Sequence, residues 1–215
     1  MRLALLLAVA AAAIAAAAVV IATQAGEPEP AANPSTTPAP APAADEPMEK
    51  PGPSVRETCA TRSEADFGRP FQGRRNLVVG PFVLVGGADF TTPSVVRSVK
   101  GQKYPVLVRA GHRVTLVVPE EARDFTGLGY GPLPQGEITL PEAHAQVTFI
   151  ACPADEPSYS MPGTSVGPTT FWSGAVVVHE PHCVPLDVWI DDEPTPRHIV
   201  LELGVKPCPA PEAQV

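Results

Sequence analysis

Residues 171–205 read FWSGAVVVHEPHCVPLDVWIDDEPTPRHIVLELGV, and this stretch decides the fold. Apolar residues recur at every second position in two runs, first at Val184, Leu186, Val188 and Ile190, and then at Ile199, Leu201, Leu203 and Val205. A period of two is typical of strands with one buried face. Turn residues at 191–196 separate the two runs, and a third extended run, residues 171–179, precedes them. The stretch therefore predicts the central meander of a β-sandwich.

Shorter apolar runs, separated by Gly and Pro, extend this pattern toward the N-terminus. Residues 104–109 and 113–119 predict a hairpin, because Gly111 between them supplies positive φ. Residues 76–85 are broken by Gly80-Pro81 and predict an edge strand, a bulge or two short strands. Residues 95–99 are a weaker strand candidate. Since no long helical period appears, we expect an all-β fold, an immunoglobulin-like antiparallel β-sandwich of about seven to nine short strands.

The N-terminal region predicts export. Arg2 is followed by an uncharged, Ala-rich run at residues 3–23, so we assign residues 1–25 to a signal peptide or a retained transmembrane helix. The run is long enough to span a bilayer, whereas its Ala content makes the span weak and Thr23-Gln24-Ala25 is an imperfect cleavage site. Both alternatives stay open. In either case we expect the rest of the chain outside the cytoplasm, secreted or anchored by its N-terminal segment.

Residues 26–54 are rich in Pro and Ala and have no apolar period, which predicts a disordered linker. Such a linker acts as a spacer, and it leaves residues 55–215 as one β-sandwich domain. At the start of that domain, residues 59–75 have little periodicity and are expected to wrap around its edge. The basic tract at residues 69–75 is either a solvated loop or a contact for an anionic wall polymer. The Ala- and Pro-rich composition favours a bacterial cell envelope.

Charge and aromatic content argue against a nucleic-acid partner. The formal net charge is −8 at pH 7, and aromatic residues make up 6% of the chain. A phosphate backbone needs a basic surface, and single-stranded nucleic acids need aromatic stacking platforms. We therefore expect no nucleic-acid binding.

The four cysteines predict disulfide bonds, because an even number in an exported chain favours pairing. Three pairings are possible. We favour Cys152 with Cys183, since each lies at a strand end, and Cys59 with Cys208, since that bond would join the two ends of the domain. No Cys-x-x-Cys pair is present, which argues against a structural zinc site.

Two tryptophans are the candidates for a binding face. On adjacent strands, Trp172 and Trp189 are expected on the face opposite the main apolar stripe. An exposed aromatic face suits carbohydrate or protein binding. The alternative is that one of the two packs beneath a loop.

Two weaker motifs define alternative functions. Residues 163–167 (GTSVG) match the nucleophile-elbow pattern around Ser165, but Pro168 follows where that motif needs a helix. His179 and His182 supply metal-ligating groups, although their spacing fits no compact site. A secreted serine hydrolase and a metal-binding envelope protein are thus the alternatives.

The prediction that follows is a non-enzymatic binding or structural module of the cell envelope. It needs no catalytic residue, metal or cofactor. Its expected partner is an envelope polysaccharide or protein, and its only expected membrane contact is the N-terminal segment.

Overall fold

The computed structural model describes residues 55–132 and 138–209. The predicted leader at residues 1–25 and the predicted linker at residues 26–54 lie outside the described residues. Within them the fold is mostly β, with several antiparallel sheets and one short helix, which confirms the predicted all-β class. The strands are β1 (Val55–Glu57), β2 (Leu77–Val79), β3 (Phe82–Leu84), β4 (Gly101–Lys103), β5 (Val106–Arg109), β6 (Arg113–Val117), β7 (Thr126–Gly129), β8 (Gln146–Ile150), β9 (Thr169–Trp172), β10 (Ala175–Val178), β11 (His182–Ile190) and β12 (Arg197–Leu203).

Three sheets share these strands. The five-stranded sheet has the order β1-β8-β6-β11-β12, the four-stranded sheet β2-β3-β5-β9, and the three-stranded sheet β4-β10-β7. Every pairing is antiparallel except that of β1 with β8, which is parallel. Short 3₁₀ turns connect several strands, at Cys59–Thr61, Pro70–Gln72, Glu120–Ala122 and Leu140–Glu142.

The predicted pairing of the last two strands is confirmed. In the register of β11 with β12, Leu186 lies opposite Ile199 and Val184 opposite Leu201, and all four side chains are buried. The intervening residues of β12 and of the first part of β11 are more exposed, whereas Trp189 near the end of β11 is buried as well. The period-two pattern thus identified both strands and the face that each one buries.

The rest of the predicted meander is wrong. Residues 171–179 form two strands, β9 and β10, which belong to different sheets, and neither pairs with β11. The break comes at Gly174, where an added Cβ would collide with the ring of Tyr130. Without a side chain, the backbone can pass close to that ring while it crosses from one sheet to the next.

The predicted hairpin of residues 104–119 is also wrong. β5 pairs with β3 and β9 in the four-stranded sheet, whereas β6 pairs with β8 and β11 in the five-stranded sheet. The short connection around Gly111 (φ 82°) therefore passes between sheets. A connection of this length is compatible with a hairpin and with a crossing between sheets. The crossing is favoured because it lets β5 and β6 bury their apolar faces on opposite sides of one core.

The weak strand candidate at residues 95–99 is helical. Helix α1 (Pro93–Val99) begins with Pro at its first turn, which is favourable because that position needs no N–H donor. It ends at Lys100, whose left-handed conformation (φ 51°, ψ 46°) closes the last turn. By contrast, residues 76–85 form the two short strands that were one predicted alternative, β2 and β3 around Gly80-Pro81.

One hydrophobic core fills the space between the sheets. It combines side chains of all three sheets, among them Phe82, Leu128, Phe149, Trp172 and Leu186. The hydroxyl group of Tyr130 is buried in this core. It donates a hydrogen bond of 2.7 Å to the carbonyl oxygen of Tyr104, so it has a hydrogen-bond partner despite its burial. No helix in the described part of the chain is both long and apolar enough to cross a membrane.

All four cysteines form disulfides, but the favoured pairing is wrong. Cys59 is bonded to Cys152 and Cys183 to Cys208, with Cα–Cα distances of 5.0 and 5.6 Å. The strand order gives the reason. Parallel pairing of β1 with β8 brings Cys59 beside Cys152, whereas β6 lies between β8 and β11 and so separates Cys152 from Cys183. Two disulfides are typical of an oxidising, extracytoplasmic compartment.

Candidate binding groove

The predicted tryptophan face is wrong, because both side chains are buried. Trp172 is 1% exposed and Trp189 is 3% exposed. The two strands lie in different sheets: β9 directs Trp172 into the core and leaves Phe171 on its outer face. Trp189 lies on β11 opposite Thr115 of β6. Neither residue presents a ring to a ligand.

The two histidines of the alternative metal site have different surroundings. His179 is exposed in the turn before β11, whereas His182 stacks on Phe125 with ring centroids 4.2 Å apart. Within residues 55–132 and 138–209, no group of three or more His, Cys, Asp or Glu residues is placed to hold a metal ion.

Ser165, the nucleophile of the hydrolase alternative, lies in an exposed loop. Its neighbour across a short antiparallel bridge is Pro157, so it sits in an irregular hairpin and not on a strand-to-helix turn. No hydrogen bond joins Ser165 to a histidine among the described residues. Ser165 nevertheless lines a concave surface of the described part of the chain, together with residues of several other segments.

This surface is a groove of about 500 Å³ on the outer face of the four-stranded sheet. Its floor is formed by Leu107, Thr169 and Phe171. One wall is part of residues 58–76, which we call the N-terminal wrap, and the other is part of residues 153–168, which we call the serine loop. A bridge between Ser63 and Phe171 places the wrap at the edge of β9, in agreement with the predicted wrapping of this segment.

The groove combines an apolar floor with a rim of hydroxyl groups. Phe67 of the N-terminal wrap packs edge-on against Phe171, with ring centroids 4.7 Å apart. The hydroxyl groups come from Ser63 on one side and from the serine loop on the other, at Ser158, Ser160 and Ser165. Apolar surface with a few fixed polar groups is the usual chemistry of a ligand site.

A single carboxylate, that of Glu64, joins the two walls. Its Oε2 accepts hydrogen bonds from the hydroxyl of Ser158 (2.6 Å) and the backbone N–H of Ser160 (3.0 Å). Its Oε1 accepts from the backbone N–H of Tyr159 (3.1 Å) and from Nε of Arg62 (3.1 Å). One acidic side chain thereby fixes three consecutive residues of the serine loop.

These contacts also set the ionisation of Glu64. Burial by itself would raise the pKa of this carboxyl group, but the hydrogen bonds from Ser158, Ser160 and Tyr159 outweigh it and hold the pKa far below its usual range. Glu64 is therefore an anion at every physiological pH. Its charge is balanced by Arg62, and both side chains are about nine-tenths buried.

Arg62 extends the same connection. Its guanidinium group donates to the carbonyl oxygens of Cys59 (2.7 Å) and Pro157 (2.8 Å) and lies 4.9 Å from the ring centre of Tyr159. The Cys59–Cys152 disulfide ties the starts of the two walls together covalently. The groove is thus held open by covalent, ionic and hydrogen-bonded links, and the exposed side chains of Tyr159 and Met161 project from a fixed loop.

A smaller cavity of about 240 Å³ continues from the groove and shares Gly68, Pro70, Pro168 and Thr169 with it. Here the guanidinium group of Arg109 lies 4.1 Å from the ring centre of Phe71. The predicted basic tract at residues 69–75 contributes Arg69 to this end. The groove is therefore neutral along its floor and positive at this end.

We expect Glu64→Gln to loosen the serine loop. A side-chain amide has one acceptor oxygen, whereas a carboxylate has two. Some of the donors from Ser158, Tyr159 and Ser160 would therefore face an NH₂ group, which cannot accept their hydrogen bonds. Hydrogen exchange of the Tyr159 and Ser160 amides should accelerate by about tenfold or more, measured by NMR on the folded protein. Asp155→Asn removes the same charge from an exposed position of the loop and should leave exchange unchanged; equal exchange in both variants would contradict the role of Glu64.

The wild-type loop should also resist acid. Because the folded-state pKa of Glu64 is lowered from its ordinary value of 4.5, its contribution is complete above that value. The contribution declines as the pH falls below 4.5 toward the folded-state pKa and is lost only below it. Amide exchange at Ser160, corrected for intrinsic rates, should therefore remain slow at pH 4.

Sequence reasoning missed the groove because its key residues are far apart in the chain. Glu64 and Ser160 are separated by 96 positions, and both lie in segments without strand periodicity. The sequence offers one signal, the Ser-Tyr-Ser run at residues 158–160 near Ser165, but a run of hydroxyl groups in a Pro- and Gly-containing segment does not identify a ligand site. No protein-family model matches this chain, and searches of curated proteins and of solved structures find no match to it.

Proposed function

We propose that this protein is an extracytoplasmic binding module of a bacterial cell envelope, without enzymatic activity, that takes its ligand in the groove. In this proposal residues 1–25 direct export and are either cleaved or kept as an anchor. Residues 26–54 are the spacer, and the domain that follows is an immunoglobulin-like sandwich. The partner is an envelope polysaccharide or protein.

The observation that carries the proposal is the fixed geometry of the groove. Glu64, Arg62 and the Cys59–Cys152 disulfide hold both walls before any ligand arrives. Preorganisation of this kind reduces the entropy that binding must otherwise offset. The two disulfides support the compartment, because they persist in oxidising surroundings.

The groove can be blocked with a single substitution. We expect the full-length exported protein to bind isolated cell envelopes, and Ser165→Trp to weaken that binding by about tenfold or more, because the indole would fill the groove. Ser98→Trp, on exposed α1 and outside the groove lining, is the matched control and should bind like the wild type. Binding is measured by co-sedimentation over a range of protein concentrations. Wild-type affinity in Ser165→Trp would refute the groove as the binding site.

The serine hydrolase is the second candidate, because Ser165 lies in the same groove. A fluorophosphonate probe distinguishes the two functions. The binding proposal expects no covalent labelling of the wild type, whereas labelling that disappears in Ser165→Ala would replace it with the hydrolase.

A further inference from the structure

We propose that the ligand of the groove is a peptide with a free carboxylate, held through its backbone at Thr169 and through its charge at Arg109. This inference rests on the proposed function and specifies the ligand class that it left open.

The first argument is the direction of the Thr169 backbone. Among the described strands, β9 pairs with β5 alone and lies at the edge of its sheet, where alternate residues direct their N–H and C=O groups away from the sheet. Phe171 faces away, since its carbonyl oxygen accepts a bond of 2.8 Å from the N–H of Ser63. Pro168 faces β5, since its carbonyl oxygen accepts from Ala110 (3.0 Å). By this alternation the N–H and C=O of Thr169 face away from β5.

The second argument is that the chain leaves a gap at this position. On the same edge, the N–H of Gly167 is taken by the carbonyl oxygen of Ala154 and the carbonyl oxygen of Phe171 by Ser63. Between them, no hydrogen bond to the outward N–H or C=O of Thr169 occurs within residues 55–132 and 138–209. Thr169 lines both the groove and its smaller continuation. One donor and one acceptor at one residue match one residue of an extended peptide.

The third argument is the charge next to that gap. Arg109 is the register partner of Thr169, so their Cα atoms are about 4.5 Å apart in a pair of this type. Its guanidinium group lies over the ring of Phe71 and makes no ion pair with any described residue. A guanidinium group presents its N–H edge to a planar anion, and a carboxylate accepts two parallel bonds from it.

These features define the ligand. The ligand's backbone amide would pair with Thr169, and its carboxylate would bind Arg109. In an extended peptide these two groups would lie within one or two residues of each other. The next side chain would lie over Leu107 and Phe171, where the floor is apolar. Across the groove, the exposed hydroxyl group of Ser165 is placed to bond with the peptide on its other side. The inferred ligand is thus an extended segment with an apolar side chain and a carboxylate at or near its end.

The test compares two soluble libraries of acetylated tetrapeptides, which have the same random side chains and end in either a free carboxylate or a carboxamide. Full-length ¹⁵N-labelled protein is titrated with each library. We expect the acid library to shift the Thr169 amide and the Arg109 Nε signals and to slow exchange of the Thr169 amide. The amide library should bind about tenfold or more weakly. Peptides recovered from the bound fraction are then resynthesised for affinity measurements.

Two protein variants complete the test. Arg109→Gln should lose the preference for the free carboxylate, so that acid and amide peptides bind equally weakly. Arg97→Gln removes a charge from an exposed position of α1 outside the groove lining and should keep the preference. Equal affinity of wild type for both libraries, or an unchanged preference in Arg109→Gln, would overturn the inference. Binding of envelope polysaccharide at the groove, blocked by Ser165→Trp and without peptide binding, would overturn the inference and leave the proposed function intact.

Discussion

The Cys59→Ala/Cys152→Ala double variant is expected to lose about 4.7 kcal/mol of unfolding free energy, the value of the chain-entropy model for a loop of this length. The two cysteines are separated by 93 positions, so the bond closes a long loop in the unfolded chain. β1 is only three residues long and pairs with one strand, so little else holds the start of the domain.

The second disulfide provides the comparison. Cys183 and Cys208 are separated by 25 positions, and Cys183→Ala/Cys208→Ala should cost about 3.5 kcal/mol by the same model. Urea unfolding followed by fluorescence measures both losses. The first double variant should also speed amide exchange in the serine loop, and the second should not. A larger loss of unfolding free energy in the second variant would show that loop length does not determine which disulfide stabilises the fold more.

Trp172→Ala is expected to cost about 3–5 kcal/mol, the range for truncating a buried aromatic side chain. Trp172 packs on Phe149 with ring centroids 5.4 Å apart, and its indole N–H donates to the carbonyl oxygen of Thr58 (3.1 Å). The side chain thus fills the core and also fixes the N-terminal wrap. Thermal and urea unfolding should both report the loss.

A pair of milder substitutions separates the hydrogen bond from the packing. Trp172→Phe removes the bond to Thr58, so it should cost about 1 kcal/mol more than the loss of ring volume alone. Trp189→Phe should lack this extra cost, because the buried N–H of Trp189 has no hydrogen-bond partner among residues 55–132 and 138–209. A larger loss in Trp189→Phe than in Trp172→Phe would contradict this assignment.

The sequence predicted strands better than it predicted sheets. The alternation in β11 and β12 identified two strands, their buried faces and their pairing, because adjacent strands joined by a tight turn leave few alternatives. In β5 and β6 the same kind of pattern identified the strands correctly but predicted the wrong pairing partner for each. Alternation reports which face of a strand is buried, whereas the partner depends on contacts with distant segments.

The same limit explains the errors at the cysteines and tryptophans. Cys152 and Cys183 both lie at the ends of strands, but only the position of β6 between them shows that they do not meet. Phe171 and Trp172 are adjacent aromatic residues, and the sequence does not say which of them faces the core. The groove was still more difficult to predict from the sequence, because Glu64 accepts hydrogen bonds from backbone N–H groups that almost any residue could supply.

The position of the first disulfide has a mechanical consequence. A pulling force applied through the chain before Val55 acts along β1 and reaches Cys59 after four residues. There the covalent path divides: one branch continues into the N-terminal wrap, and the other crosses to Cys152, from which the chain leads back into β8 and forward into the serine loop. Both walls of the groove are therefore pulled from the same point, so tension does not draw one wall away from the other. If a ligand binds between these walls as proposed, we expect a force on the chain before Val55 to leave the groove, and therefore its affinity, unchanged.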